Sequence, residues 1–255
     1  MNVNLLAISV GNTRTQIGAF NDGKIEQFDS VDNDQPDACG EAIGRAMKRI
    51  ETSESHVLMA SVNSNVEQTI TDIAQQVTGK PIIRMERDLP IAIGRQLDRE
   101  SIIGDDRLLN AAGAYDVLKQ ACVLIDAGTA MTVDFVDGAG TFHGGAILPG
   151  AKMMLNALHS HTDQLPEISL ASPDETIGHN TADAMRTGIF HGLRGAAREL
   201  VEQFAEVVGA YPMVIVTGGD AELLFNDYDL VDRVVPELTL LGMAVSLHAI
   251  ENAES

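Results

Sequence analysis

The stretch CVLIDAGTAMTVDFV, residues 122–136, decides the fold of this 255-residue chain. Its apolar start predicts a buried strand that ends at Asp126, and the alternating run from Met131 to Val136 predicts a second strand. The small residues 127–130 predict a tight turn between the two strands. Such a β-hairpin brings an accessible backbone, the Thr129 hydroxyl and a carboxylate to one edge, where a phosphate could bind.

A second copy of this pattern lies near the N-terminus, in LLAISVGNTRTQIGAF, residues 5–20. The alignment of the two copies places Ser9 on Asp126 and the glycine of one turn on the glycine of the other. Each copy then continues to a further turn-forming Asp-Gly pair. A unit repeated at half the chain length predicts two related domains, residues 1–119 and 120–255. We expect the two hairpins to face each other across one ligand.

The rest of the chain alternates strands and helices, which predicts an α/β fold with a mixed sheet flanked by helices in each domain. Further strands are predicted at 24–30, 56–62, 81–85, 141–147 and 213–216, and helices at 41–50, 64–77, 105–119, from Pro149 through Leu158, 181–208 and finally through Ile250. Gly188, Gly192 and Gly195 recur at helical spacing, which predicts close packing of another element against them.

Composition excludes several classes of protein. The formal net charge of -20 disfavours binding to a nucleic-acid backbone. No apolar run approaches the length that spans a membrane, and no signal peptide is recognisable at the start, so we expect a soluble cytoplasmic protein. The two cysteines, Cys39 and Cys122, make a weak case for a disulfide.

The segment Gly104-Asp105-Asp106-Arg107 enters a predicted helix. Acidic residues there could simply stabilise the helix N-terminus. Alternatively, one carboxylate accepts a proton while Arg107 binds an anionic substrate group. The spacing favours Asp105 as the exposed cap and Asp106 as the residue that points inward.

Two further glycine-rich segments follow predicted strands, at Gly144–Gly150 and at Thr217-Gly218-Gly219. The second suits a nucleotide phosphate or ribose, although an ordinary tight turn has the same sequence. No P-loop motif is present. Three hypotheses remain from the residues alone: an ATP-dependent phosphoryl-transfer enzyme, a phosphatase of the same architecture, and a nucleotide-binding regulator.

As an ordered set, these motifs resemble those of the type III pantothenate kinases, which belong to the acetate/sugar kinase–Hsc70–actin superfamily. The resemblance covers nearly the whole chain and implies two ribonuclease-H-like domains. It implies ATP-dependent phosphorylation of pantothenate to 4′-phosphopantothenate, the first step of coenzyme A biosynthesis. It also implies a homodimer with the substrate near the subunit interface. The matching segments are Val10–Arg14, Gly104–Arg107, Asp126–Ala130, Gly144–Gly150 and Thr217–Gly219.

The resemblance also implies individual roles. Asp106 would be the general base, and Gly104, Asp105, Arg107 and Thr181 would bind pantothenate with it. Asp126 would hold a monovalent cation, K+ or NH4+. Magnesium (Mg2+) would bridge the ATP phosphates, and the ATP-binding residues would be Ser9, Val10, Gly11, Asn12, Thr13, Arg14, Thr15, Gln16, Thr129, Thr217, Gly218 and Gly219.

The chain departs from the family pattern at two places. The family normally has Asp at the position of Ser9, so a carboxylate that would organise hydrated magnesium is missing. The family also usually has a Tyr and a Pro where this chain has Leu97 and Glu100. Two alternatives follow: a divergent active kinase, or a nucleotide-binding regulator of the Bvg accessory factor type with weak or no kinase activity.

Overall fold

Each of the two predicted hairpins lies at the centre of its own mixed sheet. The computed structural model describes residues 4–50, 55–98 and 101–254. The strands are β1 Leu5–Val10, β2 Arg14–Asn21, β3 Lys24–Asp32, β4 His56–Ser61, β5 Ile82–Arg84, β6 Gly94–Arg95, β7 Cys122–Ala127, β8 Ala130–Val136, β9 Thr141–Pro149, β10 Met213–Thr217 and β11 Arg233–Val234. The helices are α1 Pro36–Met47, α2 Ser64–Thr78, α3 Asp105–Leu118, α4 Ala151–Ser160, α5 Thr181–Val208, α6 Ala221–Phe225 and α7 Leu238–Glu254.

The chain divides into two units, and both have the same strand order. Residues 1–119 and 237–255 form the first unit, and residues 120–236 form the second. The first sheet runs β3-β2-β1-β4-β5, and the strands of the second unit run β9-β8-β7-β10-β11. In each unit the central strand pairs antiparallel with the next strand and parallel with a later one. The sequence repeat is therefore a repeat of topology.

Helices cover the first sheet because its central strand is apolar on both faces. All six residues of β1 are buried. Helices α1 and α2 contact β1, and so does α7. In the second unit, a core of buried side chains joins β7, β8 and β10 with α4, α5 and α6. Both cysteines are buried and free, so the chain forms no disulfide between them.

The C-terminal helix α7 belongs to a different unit from the one predicted. The sequence assigned residues 237–255 to the second domain, whereas the structure groups them with the first unit. The reason is a close crossing of α7 over α3. A Cβ on Gly242 would lie 2.0 Å from the Leu109 carbonyl oxygen, and one on Gly113 would lie 2.7 Å from the Leu238 carbonyl oxygen. Only glycines allow the two helix backbones to approach this closely.

Helix α2 begins at Ser64, as predicted, and is capped by Asn63, whose side-chain oxygen accepts the N–H of Asn65. One local expectation was wrong. Pro149 ends β9 instead of opening α4. The glycines 188, 192 and 195 of α5 have open space around their Cβ positions, so no other described element of this chain packs against them and close packing there remains a prediction. No described helix is both long enough and apolar enough to cross a membrane.

Candidate active site

The β1–β2 turn of the first unit is held by side-chain amides. The N–H of Gly11 donates to the Arg14 carbonyl at 2.9 Å, which closes the turn. Asn33, which follows β3, donates from its backbone to the Thr13 carbonyl at 2.9 Å and from its side chain to the Gly11 carbonyl at 2.9 Å. Its amide oxygen accepts the Thr15 hydroxyl at 2.8 Å. The turn is thus ordered before any ligand binds.

The residues expected to bind ATP here differ in their exposure. Ser9 is 8% exposed and pairs with Gln16 across the hairpin. Val10 and Thr15 are also buried, whereas residues 12–14 are exposed. Arg14 donates to Asp32 at 2.7 Å, so its charge is already matched by a carboxylate. Residues 12–14 are therefore the part of this turn that a ligand can reach.

Asn63 connects this turn to a neighbouring strand end. Its side-chain amide donates to the Asn12 carbonyl at 3.0 Å, and the same side chain caps α2. The N–H of Val62 donates to the Val10 carbonyl at 3.0 Å. The carboxyl end of β4 therefore lies beside the turn, as expected for adjacent parallel strands whose carboxyl ends share an edge.

The predicted substrate segment begins α3 near that same edge. A Cβ on Gly104 would lie 2.5 Å from Oδ1 of Asp106 and 3.5 Å from Cγ1 of Val62. Asp106 Oδ1 also accepts the N–H of Arg107 at 2.8 Å. A bare backbone at Gly104 is therefore what lets the Asp106 carboxylate adopt this position. The structure brings Gly104, Asp105, Asp106 and Arg107 together at the N-terminus of α3.

Asp105 is not the exposed cap that the spacing suggested. Both Asp105 and Asp106 are half-buried. Burial raises the pKa of the Asp105 carboxyl to about 6; the negative charges of Glu86 and Asp106 act in the same direction, and the positive charge of Arg95 opposes them. Acidic residues that only stabilise a helix N-terminus keep their charge easily, whereas the raised pKa of Asp105 means that its charged form is disfavoured here.

Glu86 and Arg95 form an ion pair beside Asp105 that the sequence did not indicate. Both guanidinium nitrogens of Arg95 donate to the Glu86 carboxylate at 2.7 Å, and the N–H of Ile91 donates to it at 2.8 Å. These hydrogen bonds to Arg95 hold the pKa of Glu86 below its ordinary value. These residues lie between the predicted strand 81–85 and the predicted helix 105–119, so no periodic pattern marked them. Of the two departures nearby, Leu97 is half-buried and Glu100 lies outside the described residues.

The β7–β8 turn of the second unit places Asp126 against backbone. Asp126 pairs with Thr132 of β8 and with Thr217 of β10. It therefore holds the same position in its sheet as Ser9 does in the first sheet. A Cβ on Gly218 would lie 2.5 Å from Oδ1 of Asp126. Gly218 has a φ of 100°, a conformation that suits glycine. The Asp126 carboxylate therefore lies directly beside the Gly218 backbone.

The backbone around this turn is tightly packed. The N–H of Gly128 donates to the Ala130 carbonyl at 3.0 Å, and the N–H of Gly150 donates to the Thr129 carbonyl at 3.1 Å. A Cβ on Gly150 would lie 2.2 Å from the Gly128 carbonyl oxygen. Thr129 itself is exposed. The predicted glycine-rich segment 144–150 thus supports the turn through its last residue.

The remaining predicted residues of the second unit lie in different places. Thr217 is buried at the end of β10, and its hydroxyl donates to the Pro236 carbonyl at 3.4 Å. Gly219 is exposed beside it. Thr181 is the exposed first residue of α5, just after the Asn180 cap. The structure groups Asp126, Thr129, Thr217, Gly218 and Gly219 at the carboxyl ends of β7 and β10, and Thr181 lies on a separate element.

A second pair of residues that the sequence did not indicate lies at this edge. The N–H of Asp220 donates to the Ala127 carbonyl at 2.9 Å, and its carboxylate is 3.2 Å from the Lys152 ammonium group. The motif match stopped at Gly219, and Lys152 had no partner in the sequence pattern. Within the described residues there is no cluster of three or more His, Cys, Asp or Glu side chains that could hold a metal ion.

Comparison with known proteins decides the family. A sequence model of the type III pantothenate kinases matches residues 5–203. The type III pantothenate kinase of Rhodospirillum rubrum is 33% identical over 248 residues, which are 94% of this chain and 96% of that protein. The chain belongs to the type III pantothenate kinase family. It is therefore a kinase, and membership implies ATP and a divalent metal ion.

Solved structures with lower identity support the fold alone. A conserved putative Baf family transcriptional activator from Campylobacter jejuni is 20% identical, with a TM-score of 0.59 over 97% of this chain and 99% of that one. MreB 5 of Spiroplasma citri bound to AMPPNP is 10% identical, with a TM-score of 0.51 over 99% and 98% of the two chains. The predicted α/β fold, with a mixed sheet flanked by helices in each half of the chain, is confirmed. The regulator alternative is not favoured, because the family match is to kinases.

Proposed function

We propose that this protein carries out the reaction of its family, the ATP-dependent phosphorylation of pantothenate to 4′-phosphopantothenate in coenzyme A biosynthesis. The observation that carries the proposal is the match to the type III pantothenate kinases over residues 5–203. That span includes the Gly104–Arg107 segment and both hairpin turns. Because ATP is the donor, we propose the cytoplasm as the compartment in which the enzyme acts.

Asp106 is the proposed general base. The primary hydroxyl of pantothenate transfers its proton to the Asp106 carboxylate, its oxygen forms the new bond to the γ-phosphorus, and ADP leaves. Support comes from the position of Asp106, whose Oδ1 lies over the bare backbone of Gly104 at the start of α3. Gly104, Asp105, Arg107 and Thr181 complete the proposed pantothenate site. The Arg107 guanidinium suits the pantothenate carboxylate, since an arginine can bind a carboxylate through two hydrogen bonds.

The ATP phosphates are the proposed ligands of the two hairpin turns. In the first unit the binding segment is 9–16, whose exposed part is a turn already ordered by Asn33 and Asn63. In the second unit it comprises Thr129 and residues 217–219. Phosphoryl transfer depends mainly on positioning and on neutralised charge, so turns that are ordered in advance suit this reaction.

Magnesium and a monovalent cation complete the proposal. Magnesium retains most of its water and binds through phosphates and few protein ligands. The Ser9 hydroxyl stands where the family has a carboxylate, so the ATP phosphates would supply most of the non-water ligands of magnesium. Asp126 is the proposed ligand for K+ or NH4+. Its carboxylate beside the Gly218 and Ala127 backbone offers the oxygen donors that such a cation prefers.

One assay tests the activity. Isotope-labelled pantothenate is incubated with ATP, magnesium and potassium, and labelled 4′-phosphopantothenate is the expected product. Binding of ATP without product would instead favour the regulator. Phosphate release in the absence of pantothenate would favour the phosphatase, and product from another alcohol would change the substrate.

A homodimer is the proposed assembly. Helix α5 carries Thr181 at its first position and has an exposed face on which Gly188, Gly192 and Gly195 leave the backbone uncovered. Small residues allow another helix to approach closely, which supports this face as the contact between copies. Sedimentation analysis should give twice the monomer mass, and Gly192→Arg should shift the protein to monomers. A monomeric wild-type protein would contradict the assembly but leave the reaction proposed above.

A further inference from the structure

Lys152 stands in a position that the stability of its helix does not explain. It is the second residue of α4, whose first turn contains no acidic side chain. A positive charge near a helix N-terminus interacts unfavourably with the helix dipole. Its ion-pair partner Asp220 is nearly buried, with a side chain that is 12% exposed, whereas the Lys152 side chain is 61% exposed and open to a further anionic group. A gain in ligand binding would account for a lysine at this position.

The contacts of Lys152 put its ammonium group at the edge where the second turn lies. Two residues before it, Gly150 is hydrogen-bonded to the Thr129 carbonyl. Its ion-pair partner Asp220 is hydrogen-bonded through its backbone to the Ala127 carbonyl. Both anchors are backbone contacts to residues 127–129. The position of Lys152 relative to the β7–β8 turn is therefore fixed by two contacts, one through its own chain segment at Gly150 and one through its ion-pair partner Asp220.

Charge makes this placement significant. Residues 120–236 contain one lysine and four arginines against sixteen acidic residues. Three of the arginines have partners elsewhere in the second unit: Arg186 pairs with Asp183, Arg194 donates to the Leu224 carbonyl, and Arg198 pairs with Asp229. A triphosphate at this turn would meet the carboxylates of Asp126 and Asp220, and a nearby cation is needed to offset that repulsion.

We infer that Lys152 is an ATP-binding residue, and that its ammonium group exchanges Asp220 for a phosphate oxygen when the nucleotide binds. The inference rests on the proposed function, because it takes ATP as the ligand of the second turn. Asp220 keeps the lysine at the edge while the nucleotide is absent. No covalent step is involved, only the exchange of one ion pair for another.

Calorimetric titration of ATP into the whole protein, with magnesium, tests the inference. Lys152→Met should weaken ATP binding at least about tenfold, which corresponds to about 1.4 kcal/mol, because a charged hydrogen bond to phosphate is lost. Lys152→Arg should restore affinity to within about threefold of wild type. The wild-type advantage over Lys152→Met should shrink at high salt. Lys24→Met, at the first residue of β3 in the first unit, is the control and should leave affinity unchanged.

Asp220→Asn separates binding from a merely structural ion pair. If the lysine acts only by pairing with Asp220, both Lys152→Met and Asp220→Asn will weaken ATP binding equally. If it binds phosphate, Asp220→Asn will keep or increase ATP affinity, because it removes a competing carboxylate. Equal losses, unchanged affinity in Lys152→Met, or no ATP binding by wild type would each overturn the inference. Product formation by wild type is measured in parallel: a wild type that makes 4′-phosphopantothenate while Lys152→Met binds ATP normally refutes the lysine alone.

Discussion

Both hairpin turns receive a hydrogen bond from the residue after the third strand, but side-chain hydrogen bonds hold the first turn and backbone packing holds the second. In each unit the residue that follows the third strand donates its backbone N–H to the turn: Asn33 to Thr13 at 2.9 Å, and Gly150 to Thr129 at 3.1 Å. Asn33 adds two side-chain hydrogen bonds. Gly150 adds none, and instead its backbone packs against the turn where no Cβ would fit.

This difference shows what the duplication has kept and what it has varied. The hydrogen bond from the third strand to the turn is present in both units, so the position of the turn is the common feature. The first turn has one more residue between its last paired positions, and the Asn33 side chain forms hydrogen bonds to it. The second turn is shorter and in direct contact with the start of α4, which brings Lys152 to its edge. The carboxylates also differ in origin, from α3 in one unit and from β7 in the other.

The largest expected effect concerns the carboxylate that the first unit takes from α3. Asp106→Asn should lower kcat by about 10²–10⁴-fold, the usual contribution of a positioned general base, and leave ATP binding nearly unchanged. Steady-state kinetics with both substrates gives the comparison. Asp116→Asn on the same helix is the control, because Asp116 is in an ion pair with Lys119 and far along the helix from Gly104. Unchanged turnover in Asp106→Asn would remove the base from the proposal.

The second expected effect tests the bare-backbone contact. Gly150→Ala should destabilise the protein by about 3 kcal/mol, because a Cβ would lie 2.2 Å from the Gly128 carbonyl oxygen and the backbone must move. Asn33→Ala should cost less, about 1–2 kcal/mol, since it removes two hydrogen bonds without a clash. Gly44→Ala in α1 is the control, because its Cβ would lie at an ordinary 3.7 Å from Cγ1 of Val77 and a gain of up to about 1 kcal/mol is expected. Urea midpoints rank the three variants, and a Gly150→Ala protein as stable as wild type would contradict the structure.

Sequence reasoning predicted the parts of both units that repeat or alternate. The two hairpins, the strand that carries Asp126 and helix α5 all come from apolar periodicity and glycine turns, which are local signals. The membership of α7 could not be read in this way. It depends on Gly113 and Gly242 meeting across 129 residues of chain, and each is an unremarkable helix glycine in isolation.

The parts of the candidate site that were missed are also non-local. Asn33 and Asn63 resemble ordinary loop residues, and their roles appear only when strand ends meet at one edge. The Glu86–Arg95 pair and the Lys152–Asp220 pair each join segments with no shared pattern. A motif names the residues that a family shares, whereas these pairs involve side chains outside the motifs. An asparagine directly after a predicted third strand is the one signal that could have been used.

The third expected effect tests the difference between Ser9 and Asp126, which hold equivalent positions in the two sheets. Asp126→Ser should lower activity about tenfold and abolish its stimulation by K+, because the carboxylate is the proposed cation ligand. Ser9→Asp should lower the magnesium concentration needed for half-maximal activity, since it restores an acid in the first hairpin. Initial rates at varied magnesium and potassium provide both values. Stimulation by K+ that survives Asp126→Ser would mean that the cation binds elsewhere.

The smallest expected effect concerns the pH dependence of the acidic residues around Asp105. Asp220 forms an ion pair with Lys152 in the second unit, whereas Asp105 shares the positive charge of Arg95 with Glu86. The pKa of Asp105 is raised from 3.8 to about 6, so between these values the folded protein keeps a proton that the unfolded chain releases. The resulting loss of stability is absent below about pH 4, grows as pH rises through this window and is complete above about pH 6.

Asp105→Asn removes that charge and should therefore stabilise the protein at pH 7.5 but not at pH 4. After allowance for the solvent that screens a half-exposed carboxylate, the expected gain is about 1 kcal/mol. Urea unfolding at the two pH values measures it, with Asp116→Asn as the control. Asp116 has Lys119 at 2.9 Å, so its replacement should cost a few tenths of a kcal/mol at pH 7.5, about the worth of an exposed helix pair. A gain of equal size at both pH values would show that Asp105 is destabilising through its shape or packing, and not through a charge held among Glu86, Arg95 and Asp106.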